Sequence, residues 1–360
     1  MKILRKELLS ALKVAQPGLG LKSSRLGEHD AFVFSAGHIS AYNGFVCVAV
    51  PFDPAANGLE GAVSADEFYN LVNRLTADEM KITVTEDCWK IKCGKSNVEL
   101  KLLGKEFEER LHKQFSEITS PDYTWDKLPK NFLEALSFCV FGKNVSVVSG
   151  VFISGNKMTS TDESRINWID LDEPMIDFWI SNDAGKGLLR LGSVKEYGTG
   201  NTLAQSWVHF RTENGVIFSA SRLKAEKYPF EQLSDICMKH LAADSVCLNI
   251  PKELIAAVNR ASSFAISSVE QEQKAVRLSI TPAVIRVHSE SFAGKYKEDV
   301  DWDVAIEDDF EKVSVLIDYM MAENCMKKSK VFSIKHVNEM VRAVFDIPSG
   351  IIILSTFLED

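Results

Sequence analysis

The chain has 360 residues, of which 46% are hydrophobic and 25% charged, so it is long enough for two or three domains with cores of their own. No apolar run reaches the length of a membrane span, and the first residues lead into an amphipathic pattern rather than a signal peptide. These features predict a cytoplasmic protein with no membrane partner. The net charge of −9 argues against a simple basic nucleic-acid-binding module.

Three short segments of the chain are alike and superpose without a gap, at residues 5–12, 129–136 and 251–258. Their lysines stand at positions 6, 130 and 252, so the spacings are 124 and 122 residues. Such spacings are too long for a solenoid repeat and suit a whole small domain. We therefore predict three tandem copies of one domain, at residues 1–122, 123–245 and 246–360.

Each copy is expected to begin with an amphipathic helix, because apolar residues recur at helical spacing through each segment. In the first copy these residues are Leu4, Leu8, Leu12 and Ala15. A second helix is predicted later in each copy, around residues 68–75, 184–191 and 319–326. Gly185 and Gly187 weaken the middle one, because glycine has a low helix propensity.

Strands are predicted around the helices, since apolar and polar residues alternate in several short runs. This alternation is found at residues 81–85, 89–93 and 98–102, and further strands are predicted at residues 207–210, 216–220, 331–334 and 351–354. Between two of them, residues 213–215 (Glu-Asn-Gly) are typical of a hairpin turn. The repeating unit is therefore expected to be an α+β domain with a helix, antiparallel strands, a second helix and further strands.

Charge is unevenly distributed along the chain. The helix-bearing stretches are on balance basic, whereas the remainder is strongly acidic. This distribution suits a protein that holds a polyanion on one surface and repels it elsewhere.

The sequence carries no clear signal of a catalytic centre, a cofactor or a metal site. Residues 94–96 (Gly-Lys-Ser) resemble the end of a phosphate-binding loop, but that loop requires a glycine where Trp89 stands. The acidic runs at residues 170–173 and 299–303 lack calcium-loop spacing and are interpreted as solvated loops. The seven histidines are scattered, and the seven cysteines include no CxxC pair, which favours reduced core thiols. We predict a protein that is not an enzyme.

Several short motifs, taken in their order and spacing, resemble those of the bacterial-type DNA sliding clamp, the beta subunit of DNA polymerase III. They are residues 1–3 with 7–9, 160–166, 226–229 and 250–254. The resemblance covers essentially the whole chain. It implies a head-to-tail homodimer, a ring of six domains with helices facing a central hole and sheets forming an outer layer.

Such a clamp performs no chemistry. The resemblance implies that duplex DNA passes through the ring without sequence-specific contacts, since phosphate contacts carry no sequence information. It also implies a clamp loader and a tethered DNA polymerase as partners, at the replication fork in the cytoplasm. An alternative keeps the fold but loses DNA loading, which would give a clamp-fold interaction scaffold or a regulator of replication proteins.

The resemblance assigns roles to individual residues. The expected DNA-contacting residues are Lys22, Arg25, Lys143, Asn144, Lys186, Arg190, Lys327 and Lys328. The expected ring interface places an edge strand with Val98, Leu100 and Lys101 against Arg260 and Phe264 of a second chain. An exposed edge strand with apolar side chains is otherwise an aggregation hazard, which independently favours a partner strand.

A client-peptide pocket is expected from Thr161, Arg165, Ile166, Ile236, Leu354, Phe357 and Leu358. The sequence departs from the bacterial pattern here, because Glu163 and Ser164 stand where the family has glycine and histidine, and because the tail differs. These departures favour a divergent clamp, for example one encoded by a phage. The carboxylates of Glu163, Glu359 and Asp360 predict a client with a basic flank.

Overall fold

The structure is a computed structural model that describes residues 1–20, 30–119, 123–141, 148–162, 164–243, 246–267, 274–281, 283–291, 293–301, 313–337 and 340–356. In this part of the chain, no helix is both long enough and apolar enough to cross a membrane.

The described residues contain nine α-helices. They are α1 (Arg5–Ala15), α2 (Asp53–Ala56), α3 (Ala65–Arg74), α4 (Lys105–Ile118), α5 (Phe132–Cys139), α6 (Asn182–Leu191), α7 (Phe230–Ala242), α8 (Lys252–Ala261) and α9 (Tyr319–Lys328). The six helices predicted from apolar spacing are confirmed as α1, α3, α5, α6, α8 and α9. Helices α4 and α7, of 14 and 13 residues, are additional to the two predicted per copy.

The described residues also form 23 strands. They are β1 (Lys2–Leu4), β2 (Ala31–Ser35), β3 (His38–Tyr42), β4 (Val46–Pro51), β5 (Gly61–Ser64), β6 (Glu79–Val84), β7 (Cys88–Cys93), β8 (Ser96–Lys101), β9 (Asp126–Lys127), β10 (Val151–Thr161), β11 (Arg165–Ile180), β12 (Val194–Asn201), β13 (Ser206–Thr212), β14 (Ile217–Ser221), β15 (Val246–Asn249), β16 (Ile266–Ser267), β17 (Lys274–Ile280), β18 (Val284–Ser291), β19 (Gly294–Asp301), β20 (Val313–Asp318), β21 (Val331–Val337), β22 (Met340–Ile347) and β23 (Gly350–Ser355). Each of the seven predicted runs overlaps a strand, and the α+β class is confirmed.

The strands form four sheets. Their strand orders are β1-β6-β7-β8, β5-β2-β3-β4-β14-β13-β12-β9, β10-β11-β23-β22-β21-β15, and β16-β17-β18-β19 with β20 beside β17. Strand pairs such as β6 with β7 and β18 with β19 are antiparallel. The predicted hairpin turn joins β13 to β14, and Gly215 adopts a positive φ of 75° there.

The chain divides into two compact units. The first comprises Met1–Gly142 and Asp172–Ala225 and contains the four- and eight-stranded sheets. The second comprises Lys143–Leu171 and Glu226–Asp360 and contains the six- and five-stranded sheets. Strands of the predicted middle domain occur in both units, because β14 pairs with β4 whereas β11 pairs with β23. The division into three domains therefore remains a prediction.

Aromatic side chains hold the core of the first unit together. Phe34 on β2, Phe68 on α3 and Trp89 on β7 are fully buried, with ring centroids 4.9 to 5.8 Å apart in edge-to-face contacts. Burial of each ring stabilises the fold by roughly 1.5–3 kcal/mol. Because side chains alternate along β7, the core takes Trp89 and Ile91 and leaves Lys90 and Lys92 exposed to solvent.

Helix α4 packs on the eight-stranded sheet of the first unit. Its residues Leu111, Phe115 and Ile118 are buried in one cluster with Val33 and Trp207 of that sheet. Their spacing of four and three residues places them on one face of the helix. The sequence therefore contained the signal for this helix.

Both faces of the six-stranded sheet in the second unit are apolar. Trp168 on β11 stacks on Phe230 of α7, with ring centroids 5.3 Å apart. Phe332 on β21 and Phe345 on β22 stack at 5.8 Å. Phe345 pairs with Ile352, and Trp168 pairs with the neighbouring Ile351, so these two aromatic pairs lie on opposite faces.

Candidate functional site

The structure describes most, but not all, of the residues assigned to function from the sequence. Those outside the described residues are Lys22, Arg25, Lys143, Asn144, Glu163, Phe357, Leu358, Glu359 and Asp360. The expectations for these nine residues stay predictions.

Lys186 and Arg190 lie on one stripe of α6. The helix begins after Ser181, whose hydroxyl accepts a hydrogen bond from the Ala184 amide at 3.2 Å, and it ends at Gly192 in the left-handed conformation. Gly187 faces the sheet, where a Cβ would lie 2.7 Å from the Phe218 ring. This close approach explains the glycine inside the helix, whereas Lys186 is half-buried and Arg190 is exposed.

Lys186 has a carboxylate partner on its own helix. Its Nζ lies 3.2 Å from Asp183 Oδ1, one turn earlier. About a third of the lysine side chain is exposed, so the pair is accessible to water and to a competing anion.

A lysine on α9 also has a carboxylate partner on its own helix. Lys327 is exposed, and its Nζ lies 2.6 Å from Glu323 Oε1. The same carboxylate oxygen accepts a hydrogen bond from Asn259 Nδ2 on α8 at 2.7 Å. Lys328 follows in the last turn, where the helix dipole stabilises a positive charge.

A polar groove of about 360 Å³ runs along α8 and α9. It is lined by Asn259, Ser262, Tyr319, Met320, Glu323, Asn324 and Lys327. Amide, hydroxyl and ammonium groups of this kind contact phosphates in protein–DNA complexes. Sequence reasoning found Lys327 but missed its neutral neighbours, because single polar residues on a helix carry no signal by themselves.

The strand predicted to close a ring is an edge strand, since β8 is the last strand of its sheet. Lys101 is exposed and Val98 is half-buried, but Leu100 is only 9% exposed and packs into its own unit. The expectation of an apolar exposed edge is therefore wrong for Leu100, because the alternation of β8 points this side chain towards the core.

Arg260 and Phe264 lie beside β19, which ends the five-stranded sheet. Arg260 forms two hydrogen bonds to the Glu298 carboxylate, at 2.6 and 3.0 Å, and a third to the Tyr296 hydroxyl at 3.0 Å. The hydrogen bond from Arg260 holds the pKa of the Glu298 carboxyl below its usual value. Phe264 stacks on the Tyr296 ring at 6.4 Å. Both residues are thus held against the edge strand.

A tight turn holds the start of the predicted client pocket. The Asp162 carboxylate accepts hydrogen bonds from the amides of Ser164 and Arg165 and from Arg165 Nε at 2.9 Å. The Thr161 hydroxyl donates to the Arg165 carbonyl at 2.8 Å. Burial raises the pKa of the Asp162 carboxyl, although the Arg165 charge opposes this effect. Arg165 is therefore engaged in holding the turn.

The structure separates two residues of the predicted groove. Ile166 pairs with Ile353, and Arg165 pairs with Leu354, so Ile166 and Leu354 point to opposite faces of the six-stranded sheet. Leu354 is only 1% exposed. Ile236 is half-buried on α7, which packs on the Trp168 face, the side shared by Ile166. One groove cannot contain both Ile166 and Leu354.

Basic side chains that the sequence analysis missed lie beside α7. Lys335 is buried and donates to the carbonyls of His240 and Ala243, at 2.5 and 3.1 Å, at the end of this helix. Arg342 is directly opposite Lys335 on the neighbouring strand, and burial lowers its pKa. Burial also lowers the pKa of His240. The positive charges of Lys335 and Arg342 are opposite in sign to the carboxylates from which a client with a basic flank is predicted.

The acidic runs form no metal site within the described residues, where no group of three or more His, Cys, Asp or Glu side chains is arranged to hold an ion. Asp170 of the first run pairs with Lys157. Asp299 of the second pairs with Arg286 at 2.6 Å.

No family model and no curated protein matches the sequence. The structure is nevertheless similar to a DNA polymerase sliding clamp from Bacillus subtilis, at 17% identity and a TM-score of 0.74, over 100% of this chain and 99% of that one. The DNA polymerase III subunit beta from Bartonella birtlesii, bound to griselimycin, gives 14% identity and a TM-score of 0.78 with the same coverage. The beta chain from Streptococcus pneumoniae TIGR4 gives 15% and 0.75, with 99% of each chain covered. Over its whole length, the chain therefore has the fold of the bacterial DNA polymerase III beta sliding clamp.

Proposed function

We propose that this protein is a DNA sliding clamp, a non-catalytic processivity factor that encircles duplex DNA and tethers a replicative polymerase. The observation that carries the proposal is the similarity to sliding clamps over 99–100% of both chains. A protein that shared one domain with a clamp would match over part of its length only. A whole-length match instead requires the same elements in the same order.

The basic residues on the second helices support contacts with DNA. Lys186 with Arg190, and Lys327 with Lys328, lie on α6 and α9, which are predicted to be the second helices of the middle and third copies. Such side chains bind phosphates without reading sequence. Because Lys186 and Lys327 already have carboxylate partners, each phosphate contact is weak, and weak exchangeable contacts suit a protein that slides.

The two edge strands support ring closure. Strands β8 and β19 each end a sheet, and an edge strand presents unpaired N–H and C=O groups. Pairing β8 of one copy with β19 of a second would remove both edges and give a head-to-tail homodimer. Arg260 and Phe264 would then lie next to the joint, because both contact Tyr296 of β19.

The client peptide of a polymerase would bind beside the turn at residues 161–166, on the α7 side of the sheet. Of the residues predicted to line the client pocket, the described apolar ones on the α7 side are Ile166 and Ile236. Leu354 would support the site from the opposite face of the sheet rather than contact the peptide.

Retention on circular DNA tests the proposal. The purified chain is incubated with nicked circular plasmid, its cognate clamp loader and ATP, and the mixture is then filtered at high salt. A clamp held by topology stays on the circle at high salt and is released when a single restriction cut makes the DNA linear. Light scattering on the same sample should give a dimer of the 40.1 kDa chain.

Two results would contradict the proposal. Retention that survives linearisation would indicate a bound site rather than an encircling ring. A stable dimer that the loader never places on the circle would support the alternative, a clamp-fold scaffold that is not loaded on DNA.

A further inference from the structure

The solvent-exposed face of the four-stranded sheet is rich in lysine. Five exposed lysines lie on it, namely Lys2, Lys81, Lys90, Lys92 and Lys101, against two glutamates, Glu79 and Glu99. This surface, termed here the lysine face, is basic in a chain of net charge −9. It lies opposite the face that buries Trp89 and Ile91 in the core.

Three of these lysines form one row across the sheet. Lys2 is directly opposite Lys81, and Lys81 is directly opposite Lys92. Side chains in such pairs have Cβ atoms about 4.5–5.5 Å apart, and like charges at this separation destabilise the sheet. Repulsion between these lysines therefore lowers the stability of the sheet.

Protection of the sheet edge does not explain the row. Lysines on edge strands prevent aggregation, but Lys81 and Lys92 belong to the inner strands β6 and β7. Internal pairing does not explain it either. Lys2 pairs with Glu79 at 3.0 Å, whereas Lys81, Lys90 and Lys92 have no ion-pair partner among the residues that the structure describes.

The five-stranded sheet shows that this chain does pair charges on an exposed sheet face. Arg286 is opposite Asp299 and bonds to it at 2.6 Å. Lys295 is opposite Glu290 and bonds to it at 2.6 Å. The lysine row departs from this pattern, so its missing carboxylates are expected from another molecule.

We propose that the lysine face binds an acidic segment of a partner protein. Two or three clustered carboxylates of that segment would pair with Lys81, Lys90 and Lys92, which line a shallow groove of about 480 Å³ together with Thr83, Asn97 and Glu99. If the segment is helical, carboxylates on successive turns lie about 5–6 Å apart, which matches the spacing of the row. If it is extended, alternate residues lie about 6.6–6.8 Å apart, which matches the spacing of Lys90 and Lys92.

The composition of the face favours a peptide over a nucleic acid. Single-stranded nucleic acid is bound where bases stack on aromatic or arginine side chains, and the lysine face has neither. Carboxylates also flank the row, since Glu99 is opposite Lys90 and Glu79 lies two residues from Lys81. These carboxylates would repel the evenly spaced phosphates of a nucleic acid, whereas a peptide can place neutral residues next to them.

The test uses the full chain and a fluorescein-labelled synthetic peptide in which aspartate alternates with serine. Fluorescence anisotropy compares the wild type with the double variant Lys81→Gln/Lys92→Gln. The matched control, Lys105→Gln/Lys195→Gln, also loses two exposed positive charges, at lysines that pair with Glu86 and Glu213. We expect the first variant to bind the peptide about ten-fold more weakly and the control to change affinity less than about two-fold.

A second readout separates binding from a structural role. Because the row is repulsive, Lys92→Gln should raise the melting temperature at low salt, and the difference should shrink as salt screens the lysines. The proposal is overturned if both double variants weaken the peptide equally, if wild type does not bind it, or if an oligothymidylate of equal charge binds more tightly. A lower melting temperature for Lys92→Gln would also overturn it. None of these results depends on the tethering of DNA.

Discussion

Replacing Asp183 and Glu323 by their amides is expected to strengthen binding to duplex DNA. Each carboxylate pairs with a lysine proposed to contact phosphate, at 3.2 Å for Lys186 and 2.6 Å for Lys327. A phosphate that approaches either lysine is repelled by the carboxylate. Asp183→Asn and Glu323→Gln remove this repulsion and keep the side-chain shape, and the Gln oxygen can still accept the hydrogen bond from Asn259.

The magnitude follows from geometry. A phosphate bound by either lysine would lie about 6 Å from the carboxylate, which gives about 0.7 kcal/mol of repulsion in water, reduced to about half by physiological salt. The double variant should therefore bind DNA about three-fold more tightly at 0.15 M salt and about seven-fold more tightly at 0.01 M, for each chain that contacts the DNA.

Fluorescence anisotropy with a labelled linear duplex at the two salt concentrations measures this difference. The matched control is Glu86→Gln/Glu213→Gln, which removes two carboxylates paired with Lys105 and Lys195. The net charge changes equally in both variants, so only a local effect separates them.

Equal strengthening by both variants would mean that net charge alone acts on the DNA. If the wild type binds DNA and Asp183→Asn/Glu323→Gln binds it no more tightly, Lys186 and Lys327 do not contact phosphate. Absence of binding by every variant would mean that these contacts alone do not hold a linear duplex, from which a ring held by topology is released, and retention on circular DNA would then test the proposed function.

Three further predictions concern stability. Gly187→Ala should lower the free energy of unfolding by about 1–2 kcal/mol, despite the gain in helix propensity, because the added Cβ would lie 2.7 Å from the buried Phe218 ring; urea denaturation measures it. Lys335→Met should cost about 2 kcal/mol in the same assay, because two carbonyls at the end of α7 lose their donor. Burial lowers the pKa of His209 from 6.5 to about 4, so the unfolded chain binds the proton at a higher pH than the folded chain does. The free energy of unfolding should therefore fall as the pH drops from 6.5 towards 4, and His209→Gln should make this fall smaller.

Each of these predictions has a control in the same chain. Gly104→Ala adds a Cβ that would meet nothing within 4 Å and should change stability by less than about 1 kcal/mol. Lys297→Met removes an exposed lysine and should have little effect. His112→Gln removes an exposed histidine and is the matched control for His209→Gln. A loss equal to that of the buried variants would refute the corresponding argument.

Local patterns were sufficient to predict most of the described helices but only a minority of the strands, namely those for which side-chain periodicity or a flanking turn reflects the pairing. The alternation around Trp89 and Lys90 in β7 is an example. Helices α4 and α7 were missed although their signals were present, including Leu111 and Phe115 in the first. Both lie outside the aligned repeat segments, on which the prediction of two helices per copy rested.

The candidate sites were less predictable, because the face of a residue depends on strand register. Leu354 and Ile166 were placed in one groove by their apolar character, but the register puts them on opposite faces. Leu100 was expected at an exposed apolar edge and is buried instead. A shift of one residue in either strand would reverse each of these assignments.

The repeated segments, the periodicity of the helices and some strands, and the motifs that predicted the clamp fold could all be recognised from the sequence, since they depend on residues close together in the chain. Tertiary structure alone decided that β14 pairs with β4, that β11 pairs with β23, and that Lys2, Lys81 and Lys92 form one row. Backbone N–H and C=O groups are alike on every strand, so local sequence does not specify which distant strand they bond to. Packing of the whole chain selects the partner, and with it the surfaces on which function depends.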